Sequence, residues 1–177
     1  ERGKETHTRI GTKKGETPII YPGKYAIPAN KMTEFYQLYY NYIFKNKKIV
    51  KHDFLTEKQN SKAGPICIDF DFRYPFEIDG EIPKRQHNSD TIADIIQLYI
   101  EKLSELIVFK PNTSFNIFVF EKDHVNQVEN KNGKGGETKD GIHIIFGIHL
   151  DRILQQILRN KVKKEFFQTV DNLTNLK

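Results

Sequence analysis

The 177-residue chain has no tryptophan, a single methionine and a single cysteine, Cys67. One cysteine excludes a disulfide framework and a cysteine-built zinc site, and it fits a reducing, intracellular compartment. No apolar run approaches the roughly 20 residues that a membrane-spanning helix needs, so no membrane partner is expected. The polar start, Glu1 to Lys4, is unlike a signal peptide, and no initiator methionine is present. The chain is therefore read as a piece of something longer. No G-x-x-x-x-G-K-S/T occurs, so Lys134-Gly135-Gly136 is not a Walker A loop. His7, His52, His87 and His124 lack the spacing of zinc ligands.

What is present is basic: 28 Lys and Arg against 23 Asp and Glu give a net charge of +5. That excess favours an anionic partner such as nucleic acid. Hydrophobic residues make up 37% and charged residues 29%, the balance of one folded domain.

Hydropathy periodicity gives the elements. Residues 1–23 read as an irregular arm with a short strand at Ile19–Tyr21. Asn30 is placed to cap a helix to Phe44, whose apolar face runs through Met32, Phe35, Tyr36, Tyr39, Tyr40 and Ile43. Lys45, Lys47 and Lys48 then suit a solvated helix end. Ile66–Arg73 reads as a strand and Pro75–Asn88 as a loop with a turn at Asp79-Gly80. Ser89 or Asp90 is expected to cap a helix to Ile107 whose stripe is Ile92, Ile95, Ile96, Tyr99, Ile100, Leu103 and Leu106. Ser114–Glu121 is a strand, Lys122–Lys139 a long hairpin connection, Ile142–Leu150 a strand, and Asp151 caps a helix to Thr169. The order predicts an α+β protein with a mixed or antiparallel sheet packed against helices, without a second domain.

Two of these strands carry chemistry. In Pro65-Ile66-Cys67-Ile68-Asp69-Phe70-Asp71-Phe72-Arg73-Tyr74, alternation sends Ile66, Ile68, Phe70 and Phe72 to one face. Cys67, Asp69, Asp71 and Arg73 go to the other, with the two acidic Cα atoms about 6.6–7 Å apart. Like charges that close repel unless a cation lies between them, and hard cations such as Mg²⁺ or Mn²⁺ take oxygen ligands while leaving room for phosphates. A solvated polar face with Arg73 as an ion-pair partner is the competing explanation. In the strand from Ile142, His143 falls on the face opposite to Ile142, Ile144 and Phe146. It would share a surface with Asp69 and Asp71 and could hold a phosphate beside the metal, or satisfy a local hydrogen bond as most histidines do. His149 is read as structural. Gly141 and Gly147 are expected to let ligand backbone approach.

Taken together these segments resemble the archaeo-eukaryotic primases, which carry an acidic D-x-D on one strand and a small-x-His on another. Asp69-Phe70-Asp71 and Gly141-Ile142-His143 supply the match. More narrowly, Thr6–Ile10, Leu55–Gln59, Ile68–Tyr74 and Lys139–Phe146 are similar to segments of the N-terminal primase domain of primase-helicases from nucleocytoplasmic large DNA viruses. The resemblance implies a two-part α/β core with a sheet like that of RNA-recognition motifs. Asp69 and Asp71 would bind the catalytic Mg²⁺ or Mn²⁺, and His143 the triphosphate of the incoming nucleotide. Arg73 and Lys139 would be further phosphate contacts. It implies DNA-templated primer synthesis by two-metal chemistry, with nucleoside triphosphates and single-stranded DNA as partners. A helicase region later in the same polypeptide, hexameric if it forms a ring, would make the setting viral replication sites in the host cytoplasm.

The family pattern also includes a third acid after an apolar residue on a later strand. Val170-Asp171 fits the letters, but it ends an amphipathic helix. The expectation is that residues 1–177 are a catalytic-domain fragment, C-terminally truncated, with the third acid beyond residue 177. Two alternatives stay open: a non-catalytic module binding single-stranded nucleic acid, and another D-x-D enzyme of phosphate or glycosyl transfer. Against a dehalogenase-type phosphatase, Arg73 stands where that group has Thr or Val; a glycosyltransferase would leave His143 without a role.

Overall fold

Three short strands, β1 (His7–Arg9), β2 (Gly23–Tyr25) and β3 (Leu55–Glu57), form an antiparallel sheet in the order β2-β1-β3. The computed structural model describes residues 5–15, 19–45, 55–60, 62–76, 84–129 and 136–169. The chain divides into two units, Glu1–Asn60 and Ser61–Lys177.

In the first unit the anticipated arm is thus partly sheet, and Ile19–Tyr21 lies outside any strand. The sheet meets helix α1 (Met32–Tyr40) through aromatic rings: the buried His7 ring lies 4.8 Å from Phe35, which stacks on Tyr39 at 5.8 Å. Met32, Phe35 and Tyr39 are the half-buried stripe, while Tyr36 and Tyr40 are exposed. Tyr36 reaches back to donate to Glu57 at 2.8 Å, and burial together with that carboxylate pushes its phenol up to about 12. Asn30 caps nothing. It sits inside a 3₁₀ turn, Ala29–Lys31, that begins after Pro28, so its amide is within the turn and not in front of it. The helix continues as a π-turn through Asn41–Lys45, where Lys45 lies 5.8 Å over the Tyr40 ring; Lys47 and Lys48 lie outside the described residues.

The second unit is built on β4 (Ala63–Phe76), α2 (Ser89–Ser104), β5 (Ile117–Glu121), β6 (Asn126–Glu129), β7 (Gly136–Asp151) and α3 (Arg152–Thr169). The strand order is β4-β7-β5, with β6 also paired to β7, and every pairing is antiparallel. The long hairpin connection anticipated over 122–139 is therefore largely strand, because polar β6 pairs with the first residues of β7. The turn expected at Asp79-Gly80 lies outside the described residues.

Helix α2 starts one residue earlier than the composition suggests. Asn88 accepts from the Thr91 backbone N–H at 2.9 Å, and the Thr91 hydroxyl answers the Asn88 backbone, a reciprocal cap that satisfies two otherwise orphaned donors. Asp151 caps α3 as expected, accepting from Leu154 N at 2.9 Å. Leu158 and Val162 of α3 join Ile95, Leu98, Tyr99 and Leu103 of α2 against the inner face of the sheet, where Ile68, Ile142, Ile144 and Phe146 are buried. Each such side chain contributes roughly 1.5–3 kcal/mol by leaving water. Ile153 and Ile157 face outward instead. The result is an α+β protein of antiparallel sheets with three α-helices among the described residues, and β4 and β7 pair from Ala63 with Asp151 to Phe76 with Gly136.

Candidate active site

The register of β4 and β7 decides what the outer face presents. Asp69 pairs with His143, Asp71 with Gly141 and Arg73 with Lys139. Directly opposed residues of an antiparallel pair share a face, so all of the sequence-predicted site residues stand on one surface. Asp69 Oδ1 and His143 Nδ1 are 3.3 Å apart, with 63% and 62% of the side chains exposed. An ion pair that open adds little to stability. It orients two polar groups toward solvent on a pair of strands whose other face is core.

The carboxylates suit a hard divalent cation. Asp69 can keep Oδ1 on the imidazole and offer Oδ2, and Asp71 is exposed two residues along. Among the described residues no group of three or more His, Cys, Asp or Glu side chains is placed to hold a metal. Two oxygen donors on an open face fit Mg²⁺ or Mn²⁺, which retain waters and substrate phosphates, and do not fit a closed zinc site. Arg73 is drawn to Glu137 at 3.4 Å, an exposed pair on the same face. Beside Asp69, a cleft of about 610 Å³ runs between β4 and α3, lined by Cys67, Ile68, Leu158 and Val162 and bordered by the cations Arg159 and Lys163. No described strand pairs with that side of β4.

At both glycines neighbouring backbone comes close. A Cβ on Gly141 would lie 2.8 Å from the Phe70 carbonyl oxygen, and one on Gly147 would lie 3.0 Å from that of Asn116. Gly147 N also donates to Asn116 O at 2.8 Å. Both positions therefore have a packing reason to lack a side chain. His149 pairs opposite Pro65, at the irregularity between Pro65 and Ile66, and takes no part in the site.

Behind the site lies a charged cluster that sequence reasoning missed. Asp140 is completely buried on the inner side of β7, next to Gly141. Arg85 grips it with two nitrogens, at 3.0 and 3.2 Å, and also reaches Glu121 at 3.2 Å and the Lys122 carbonyl. His87, buried as well, lies 2.9 Å from Glu121 and 3.5 Å from Asp140. The hydrogen bonds from Arg85 to Asp140 hold the guanidinium above its ordinary value. This clasp ties the segment before α2 to β5 and β7 directly under the Asp71–Gly141 pair. Its members are separated by 55 and 34 residues in sequence, and no local pattern joins them.

The four segments that carried the resemblance are brought together in pairs. Thr6–Ile10 and Leu55–Gln59 contribute the paired β1 and β3, while Ile68–Tyr74 and Lys139–Phe146 lie in the paired β4 and β7. Residues 17–177 match a family model described as the C962R protein N-terminal AEP domain, AEP standing for archaeo-eukaryotic primase. No curated protein and no solved structure matches the chain. No described helix is long and apolar enough to cross a membrane. With 161 consecutive residues matched, the chain belongs to the archaeo-eukaryotic primase superfamily of nucleotidyltransferases, in the family formed by the N-terminal domains of large-DNA-virus primase-helicases.

Proposed function

We propose that this chain carries the primer-synthesis site of a viral primase, with Asp69 and Asp71 as metal ligands and His143 as a contact to the incoming nucleotide. The observation that supports it most is the in-register Asp69–His143 pair, 3.3 Å apart on an open sheet face with Asp71 beside it. In the reaction a 3′-hydroxyl oxygen bonds to the α-phosphorus of a nucleoside triphosphate, pyrophosphate leaves, and the hydroxyl proton passes to solvent. A bound Mg²⁺ or Mn²⁺ pair would supply charge neutralisation for the attacking and leaving oxygens.

The chain's own residues bind and orient. When doubly protonated, His143 donates Nδ1–H to Asp69 and keeps Nε2–H for a phosphate oxygen. Lys139, opposite Arg73, adds a cation on the same face. Arg73 joins it when a phosphate displaces Glu137 from the guanidinium, an exchange that costs little for so exposed a pair. In this reading the third acid of the family pattern follows α3; Val170-Asp171 lies outside the described residues. Single-stranded DNA is the template, and a helicase region follows in the same polypeptide.

Two measurements test it together. Mn²⁺ titration followed by electron paramagnetic resonance should show binding that Asp69→Asn,Asp71→Asn abolishes. De novo synthesis on single-stranded DNA with Mn²⁺ and nucleotides should yield products that Asp69→Ala removes. Wild-type levels of Mn²⁺ binding in the double variant would end the metal assignment. DNA binding without metal binding or products would identify a non-catalytic binding module.

A further inference from the structure

The row that holds Asp69 and His143 extends across a third strand. His143 pairs with Phe120 of β5, and Ile145, one step along β7, pairs with Phe118. The outer face of the sheet therefore reads Asp69, His143, Phe120 in one row and Cys67, Ile145, Phe118 in the next. Phe118 is 50% exposed and Phe120 53%. The phenylalanines that precede the strand behave differently: Phe109 stacks on Phe115, and Phe115 contacts Phe146 in the core. Among the described residues Phe118 and Phe120 have no ring contact at all.

A single exposed phenylalanine calls for no explanation. Two on alternate residues of one strand, both turned to the face of a charged site, do. Adjacent strands are about 4.8 Å apart, so the Phe120 backbone is roughly 10 Å from that of Asp69. That is the reach of one nucleotide from its phosphate to its base. Lys139 stands on this face two rows from His143, opposite Arg73, whose exposed pair with Glu137 a phosphate can displace, and the chain has a net charge of +5. Apolar rings on a face that also carries cations are complementary to an unpaired strand, whose bases offer π-faces and whose backbone is anionic, and not to a duplex whose faces are already stacked.

We propose that Phe118 and Phe120 form a stacking platform for successive bases of single-stranded DNA, adjoining the nucleotidyl-transfer centre. The assignment rests on the reading of Asp69, Asp71 and His143 given above, and extends it from the phosphates to the bases. It predicts binding that tolerates any base, because every base has a face to stack.

The test is fluorescence anisotropy of a labelled oligothymidylate with the 177-residue chain in EDTA. Loss of one ring should weaken binding about 5- to 150-fold, the range for a single base–aromatic stack. Phe118→Ala and Phe120→Ala should each show this loss while Phe120→Tyr retains affinity and Phe120→Leu does not. A strand with abasic positions should bind the wild type as weakly as the normal strand binds the double alanine variant. Melting temperatures within a degree or two of wild type, as suits exposed positions, would show that the variants fold. Full affinity in Phe120→Leu would reduce the platform to a greasy cover, and unchanged binding in the alanine variants, or no binding by the wild type, would overturn it. In EDTA, Asp69→Asn,Asp71→Asn should bind the strand at least as tightly as the wild type, since two negative charges leave the face that meets the phosphates. Thus a failed metal assignment leaves this result standing, and a failed platform leaves the metal assignment untouched.

Discussion

Replacing Arg85 by methionine keeps its volume and removes the cation that neutralises Asp140. The Asp140 side chain has no solvent exposure, and Arg85 supplies two of its contacts, at 3.0 and 3.2 Å. What remains is the Gly141 N–H at 2.9 Å and His87 Nδ1 at 3.5 Å. Breaking a buried pair costs roughly 3–5 kcal/mol because the surviving charge is stranded, and the two remaining contacts put this case near 3. For a chain of this size about 2–4 °C of melting temperature accompanies each kcal/mol, so Arg85→Met should melt some 6–12 °C lower. Urea unfolding followed by circular dichroism should give the same loss with an unchanged slope. A second change checks the cause. Asp140→Asn in the Arg85→Met background removes the stranded charge while Oδ1 still accepts from Gly141, and it should restore on the order of half the loss. A loss below about 1 kcal/mol, or no recovery in the double variant, would refute the account of Asp140 as a charge that needs its partner.

Other changes give separate outcomes. Asp69→Asn,Asp71→Asn should melt at or slightly above the wild type without metal, since two like charges are relieved; millimolar Mn²⁺ should raise the melting temperature of the wild type alone. Gly141→Ala drives a methyl to 2.8 Å from the Phe70 carbonyl, which should cost about 1–3 kcal/mol by forcing β4 from β7, read by the same urea unfolding. Glu105 is held down to about 2, first by its bond from Lys161 and then by Lys102, against an ordinary 4.5. A depressed carboxylate contributes stability above 4.5 that is lost as pH falls toward 2. The melting difference between wild type and Glu105→Gln, present at pH 6, should therefore close by pH 2.

How much of this was legible in the sequence depended on the length of the signal. Strands β4 and β7 and helices α2 and α3 carry apolar residues at one period over many residues; the strand faces came out as read, while α2 also buries Leu98 and α3 buries Leu158 and Val162 but turns Ile153 and Ile157 outward. The alternation of Asp69, Asp71 and Arg73 predicted a shared face. Only the register could show that His143, and not Ile145 or Gly141, meets Asp69. The sheet of the first unit was missed because His7-Thr8-Arg9, Gly23-Lys24-Tyr25 and Leu55-Thr56-Glu57 are too short to display a period. Strand β6, Asn126–Glu129, has one apolar residue in four and is a strand through its pairing with β7. The cap of α2 was misplaced by one residue because Asn88, Ser89 and Asp90 are all capping types, and only the reach of Asn88 to Thr91 selects among them. The Arg85 clasp and the Phe118–Phe120 pair are products of tertiary placement, and neither announces itself locally.

Among the described residues no strand pairs with the outer edge of β4, and this bears on assembly. A strand edge offers unpaired backbone donors and acceptors to any extended segment that arrives. A segment laid beside Ile66–Arg73 would send every second side chain onto the face of Asp69 and Asp71, about 4.8 Å from them. A segment docked along this edge and the two carboxylates would therefore share one surface. A chain docked there would stand beside the two carboxylates, and a change in its docking would alter the electrostatics of the face that carries Asp69 and Asp71.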